Sequence, residues 1–161
     1  MAGPRILRFL LLVTMAASLP ARDAVARKVD RVVVEPTRTS IYVGTVSLTM
    51  PAFVRQGTAF ESTYDCKVFP YFFSNEHGTL RIEVSDSELE TLQRGQPIDF
   101  RGGAKNHRDD DRTVEGRATP DSATEGRLKV RVRVSRRIEL IFNTRYRLVL
   151  SAPSPGALER R

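Results

Sequence analysis

One cysteine, two histidines and no tryptophan in 161 residues leave little of the usual material for site chemistry. A lone Cys66 cannot close an internal disulfide, which excludes a disulfide scaffold. With His77 and His107 as the only imidazoles, a zinc site or a hydrolytic triad would have to be built from unusual parts. Ten Gly and nine Pro are too few for a collagen-like or low-complexity chain, and 40% hydrophobic residues are too many for a disordered one. The motifs G-x-S-x-G, H-E-x-x-H, C-x-x-C, G-x-G-x-x-G and the P-loop are absent. Lysine is scarce as well, occurring only at Lys28, Lys67, Lys105 and Lys129, so arginine carries nearly all the positive charge. Asn75, Asn106 and Asn143 lie outside any N-x-Ser/Thr site.

What is present begins with an address. Arg5 and Arg8 precede an uncharged run from Phe9 to Leu19, followed by Pro20 and the small residues Ala24 and Ala26. A positive start, an apolar centre and a small-residue exit make the layout of a signal peptide over residues 1–26, with cleavage after Ala26. The apolar run is shorter than the ~20 residues a membrane-spanning helix needs. The expectation is export to the periplasm or the extracellular space, with no membrane span in the remainder. Removing Arg5, Arg8, Arg22 and Asp23 lowers the formal net charge of +7 by two and leaves the domain basic.

From Val29 onward the hydrophobic pattern has period two, interrupted by turn residues, which reads as short antiparallel strands. Segments 29–35, 40–50, 58–69, 79–84, 97–101 and 113–118 fit, and a parity switch beside Gly44 suggests a β-bulge. From 128 to 150 apolar residues hold even positions across a three-residue connection at 135–137, with a second break expected near Asn143-Thr144. One helix is expected at about 86–93, because Ser85 and Glu88 form a capping box and Gly95 supplies a stop. The stretch 102–112 reads as a hydrophilic loop and 70–78 as an aromatic one. The fold class is therefore all-β: a small antiparallel β-sandwich of seven to nine strands with one short helix, a barrel being the alternative. It forms a single domain over residues 27–150, with a disordered tail over 151–161.

Four features could carry chemistry. Arg127, Lys129, Arg131 and Arg133 share one face of a strand and suit an anionic polysaccharide, a lipid head group or an acidic protein. Cross-strand pairing with Glu83, Asp99, Glu115 and Glu139 would consume that stripe. Nucleic acid is disfavoured, since no aromatics interleave the stripe. Tyr71, Phe72 and Phe73, with Phe69, are expected to pack over the open end of the sandwich, with partner docking as the alternative. Cys66 with His77 would make a thiol enzyme, but Cys66 shares the parity of Phe60, Tyr64 and Val68 and is expected in the core, where a thiol is inert. His107 with Asp109, Asp110 and Asp111 resembles a cation site, yet the spacing is wrong for an EF-hand loop and a solvated tip is expected. No metal and no cofactor is expected. The reading is an exported, non-enzymatic binding or structural module presenting a basic face and loops to a partner. A small hydrolase or thiol enzyme, or an assembly protein pairing through a sheet edge, are the alternatives.

Overall fold

The computed structural model describes residues 28–151. The expected signal peptide at 1–26 and all but Ser151 of the expected tail lie outside the described residues. Ten strands follow in order: β1 (Val29–Val34), β2 (Thr37–Ile41), β3 (Gly44–Thr49), β4 (Phe53–Gln56), β5 (Ala59–Phe69), β6 (Glu76–Glu83), β7 (Ile98–Asn106), β8 (Asp111–Pro120), β9 (Glu125–Arg133) and β10 (Glu139–Leu150). One helix, α1 (Asp86–Gln93), joins β6 to β7.

The sheet closes on itself. Strands β4 to β10 pair with their neighbours in chain order, and β1 joins β10 to β4, giving an eight-stranded antiparallel barrel. The expected sandwich is thus replaced by the barrel alternative. Both arrangements require the same inside-outside alternation along each strand, so periodicity alone does not separate them; closure depends on β5 pairing with β6 as well as with β4.

Between β5 and β10 the wall is made of two short strand pairs placed end to end. β1 and β4 fill one half, and the β2–β3 hairpin fills the other, with β3 laddered to the last five residues of β5. β2 meets β10 without a ladder: the Thr37 hydroxyl donates to the Asn143 carbonyl at 3.0 Å, and just ahead of β2 the Thr144 hydroxyl donates to the Glu35 carbonyl at 2.8 Å and the Glu35 amide to the Arg145 carbonyl at 3.0 Å.

Several local expectations are corrected. The parity switch beside Gly44 is a two-residue hairpin turn at Tyr42-Val43: Ile41 pairs with Gly44, so odd residues of β2 face the same side as even residues of β3. Gly44 has φ +127°, a backbone conformation that side-chain-bearing residues rarely adopt. The stretch 102–112 is mostly strand, with only 107–110 left as a loop, because Gly102, Gly103 and Ala104 continue the ladder of β7 despite their weak strand propensity. The aromatic loop shortens to 70–75, since β6 starts at Glu76. β10 runs through Asn143-Thr144 without a break, because Asn143 faces out and the Thr144 hydroxyl bridges to Glu35. The connection at 135–137 keeps its expected parity, with the Val134 amide donating to the Ile138 carbonyl.

Helix α1 occupies 86–93 as its signals imply. The Ser85 hydroxyl accepts from the Glu88 amide, and the Glu88 carboxylate accepts from the Ser85 amide. Arg55 on β4 pins the helix start through Asp86 at 2.6 Å. Leu89 and Leu92 point into the barrel and are buried, so α1 plugs one end. The core is the barrel interior; Phe142 and Val29 are the largest of the fully buried side chains, and burial of a side chain of that kind contributes about 1.5–3 kcal/mol.

Candidate binding cavity and its mouth

Inward residues do not fill the barrel. A cavity of about 380 Å³ remains, lined almost entirely by apolar side chains from the barrel strands, β2, β3 and α1. Val130 and Val132 on β9 and Leu140 on β10 face inward yet stay only half-buried, because they border this space. Eight strands give an interior just wide enough for side chains to fill or for one small ligand, and this chain leaves room.

The ends differ. α1 seals the end where β6 finishes and β7 begins. The opposite end is framed by Ile41, Tyr71, Ser74, Val134 and Ile138, and of these Tyr71, Ser74 and Ile138 are exposed. Here lie the β2–β3 turn and the β5–β6, β7–β8 and β9–β10 loops.

Near this mouth, on the wall formed by β5 to β8, a polar cluster interrupts the apolar lining. Glu76 accepts from the Tyr64 hydroxyl at 3.0 Å, from Asn106 Nδ2 at 3.1 Å and from an Arg112 terminal nitrogen at 3.0 Å. The Glu76 and Arg112 side chains are 15% and 11% exposed, so the pair is largely shielded from water. Burial pushes the Glu76 carboxyl up, but hydrogen bonds from Arg112, Asn106 and Tyr64 outweigh it and hold the group below its ordinary value. Burial also pulls Arg112 down, and the adjacent Glu76 more than restores it. Tyr64 is raised by burial and by the Glu76 charge. The Nε of Arg112 is buried without a hydrogen-bond partner and belongs to a residue of the cavity wall. Toward the plugged end, the Tyr146 hydroxyl is likewise buried without a partner, and burial with the Asp121 charge pushes it up to about 12. Both groups belong to residues of the cavity wall and are left without a partner there.

Comparison with family models, with curated proteins and with solved structures finds no match to this chain. The cavity and its surroundings therefore stand as the evidence for function.

Of the residues singled out from the sequence, Cys66 lies in the cavity wall and Tyr71 at its rim, and the rest fall outside it. The basic stripe lies on the outer face of β9, where much of it is consumed. Arg127 pairs with Asp121 at 3.2 Å, and Arg131 lies 3.9 Å from Glu139. Asp99 and Glu115 engage Arg117 and Arg101 instead. Lys129 and Arg133 have no ion pair among the described residues, so a remnant of positive surface persists.

Cys66 is buried in the wall and its thiol is pushed up to about 11, by burial first and by Glu76 and Asp65 after it. The register pairs Cys66 with Glu76 and Asp65 with His77, which puts the thiol inside and the imidazole outside. A Cys66–His77 dyad is thus not formed. His77 stacks on His107 at 4.6 Å between ring centroids. Asp110 is bonded by Asn106 and Arg112, and Asp109 lies 3.6 Å from Lys105, so the acidic loop is tied to neighbouring cations and amides. Among the described residues no three His, Cys, Asp or Glu gather closely enough to hold a metal ion.

The aromatic loop departs from expectation. Only Tyr71 reaches the cavity; Phe72, in a single turn of 3-10 helix at Phe72–Ser74, and Phe73 stand in solvent, 64% and 82% exposed. Barrel closure satisfies the core from the strands themselves, so these rings are not needed to cap it.

Glu76, Asn106 and Arg112 escape sequence reasoning. A signal existed: Arg112 has the parity of Val114 and Ala118, and Glu76 that of Leu80 and Ile82, so carrying each strand back toward its loop places one opposite charge beside the other on the inner face.

Proposed function

We propose that this chain is an exported, non-enzymatic binding module that holds one small apolar or amphiphilic molecule inside its barrel. The observation that carries the reading is the apolar cavity of about 380 Å³, closed by α1 at one end and open at the other. Its size falls in the range of small-molecule sites, roughly 300–1,000 Å³. Transfer of an apolar ligand from water into such a space is favourable by roughly 25 cal/mol per Å² of apolar surface removed. The N-terminal layout supports export, and the separation of Cys66 from His77 supports a role without thiol catalysis. A partner drawn only by charge to the β9 face is the weaker reading, because two of its four cations, Arg127 and Arg131, already face a carboxylate.

The test is equilibrium binding of an environment-sensitive naphthylamine dye to residues 27–161, followed by displacement with fatty acids, fatty alcohols and alkanes. Saturable binding with displacement is expected. Val130→Phe, which pushes a ring into the cavity, is expected to weaken the dye at least about tenfold while the thermal transition persists, in line with the cost of overfilling a small site. Absence of saturable binding, or wild-type affinity in the folded variant, would overturn the proposal.

A further inference from the structure

Exposed apolar side chains are concentrated at one end of the barrel. Tyr42 and Val43 in the β2–β3 turn, Phe69, Phe72 and Phe73 around the β5–β6 loop, and Ile138 beside the β9–β10 turn surround the mouth, and each is more than half exposed. The remaining exposed large hydrophobics outside this end, Val33, Val54, Ile141 and Val149, lie on the strands and are 38–45% exposed. The rim is also built. Phe69 and Phe72 meet edge to face at 5.7 Å, as do Tyr71 and Phe73 at 5.8 Å. A Cβ at Gly44 would strike the Phe69 carbonyl, so the β2–β3 turn is held directly against the start of the aromatic loop. Of the four loops at this end, three present apolar side chains. The fourth, β7–β8, carries the Asp109–Asp111 run and its cations.

Charge completes the pattern. Arg136 and Arg137 sit exposed at the tip of the β9–β10 turn, next to Ile138, and no ion pair engages either among the described residues. Exposed Arg38, without an ion pair among the described residues, lies on a strand that leads to the same end, while Lys67 there is paired with Asp65 at 3.7 Å. Aromatic and aliphatic side chains projecting from loops, flanked by unpaired cations, match the interface of an anionic bilayer, where rings enter the headgroup boundary and each nearby cation contributes about 1 kcal/mol. A protein partner would not explain why the apolar ring encircles the opening of an apolar cavity. A lipid surface does, because a molecule leaving the bilayer could enter the barrel without crossing water.

We infer that the mouth of the barrel docks on an anionic lipid surface, with Phe72, Phe73 and Tyr42 entering the headgroup boundary and Arg136 and Arg137 meeting lipid phosphates. The choice of lipid over a protein partner draws on the proposed cavity, whereas vesicle association itself needs only the rim.

The test is co-sedimentation of residues 27–161 with vesicles of phosphatidylcholine containing about a quarter phosphatidylglycerol, against pure phosphatidylcholine; the barrel closes wholly within residues 28–151. Stronger association with the anionic vesicles is expected. Phe72→Ser with Phe73→Ser is expected to lower partitioning at least about tenfold, the loss of two buried rings. Arg136→Glu with Arg137→Glu is expected to abolish the preference for phosphatidylglycerol. All four positions are exposed, so circular dichroism and melting are expected to match the parent. No vesicle association, association indifferent to the Phe72 and Phe73 changes, or a dimer in solution dispersed by those changes would each overturn the inference. Dye binding measured without vesicles reads the cavity separately, so the two proposals fail independently.

Discussion

Replacing Glu76 by Gln keeps the shape of the side chain and removes the charge around which Tyr64, Asn106 and Arg112 converge. Arg112 is then left with the exposed Asp110 at 3.5 Å, and its guanidinium stays in a wall where its side chain is 11% exposed. Removing one member of a shielded ion pair typically costs 3–5 kcal/mol, and retention of a neutral acceptor at the same place puts this case near the low end, about 3 kcal/mol. For a barrel of this size that corresponds to a fall of about 10 °C in Tm. The pH dependence supplies a second reading. The folded-state pKa of Glu76 is held below its unfolded value, so its contribution is fully present above about pH 5 and disappears as pH falls through the folded value. Urea melts of parent and Glu76→Gln from pH 7 down to pH 3 are therefore expected to show a constant gap that narrows below about pH 4.5. Replacing Glu76 and Arg112 by Leu together with Tyr64→Phe removes the charges and the orphaned hydroxyl at once, and is expected to cost less than Glu76→Gln alone. A gap under about 1 kcal/mol at pH 7, or one that does not narrow in acid, would refute the reasoning.

Three further outcomes follow. Cys66, inward and with its thiol pushed up to about 11, is expected to react slowly with a disulfide reagent at pH 7 and rapidly in denaturant; fast reaction in the native protein would show the thiol faces solvent. Ser85→Ala removes the hydroxyl that accepts from the Glu88 amide and is expected to cost about 1 kcal/mol in a chemical melt, with no change at all counting against the cap. Arg131→Glu with Arg133→Glu sits wholly on the outer face, breaks one loose pair with Glu139, and is expected to change stability by no more than about 1 kcal/mol; loss of the β-sheet circular dichroism signal would mean that the face assignment is wrong.

What the sequence made legible was local. Alternation placed Phe60, Tyr64, Cys66 and Val68 inside, and Ser85 with Glu88 located α1 to the residue, because both signals rest on contacts a few residues apart. The Tyr42-Val43 turn was missed because a hairpin and a bulge both switch parity; only the pairing of Ile41 with Gly44 distinguishes them. Barrel against sandwich turned on the β5–β6 and β1–β10 partnerships, the second spanning most of the chain, and no periodicity encodes which strands find one another. The cavity is a further step removed. It depends on how far inward side chains fall short of meeting across a closed ring. The Arg127–Arg133 stripe was visible as charge, but the pairing of Arg127 with Asp121 and of Arg131 with Glu139 needed the register.

The seam between β2 and β10 remains. Closure leaves a barrel without free edges wherever a ladder is complete, yet the half of β10 nearest the mouth meets its neighbour through two threonine hydroxyls and one backbone amide, at 2.8 to 3.0 Å. Isolated bonds resist separation less cooperatively than a strand ladder, and local opening is drawn from such places. Amide hydrogens of β2 and of the first residues of β10 should accordingly exchange ahead of those in β5 to β8. The β2–β3 hairpin, with Tyr42 at its tip, can then swing on its ladder to β5 and widen the entrance while the ring of eight stays intact. On the proposed reading, a molecule enters the barrel where this one panel of its wall gives way.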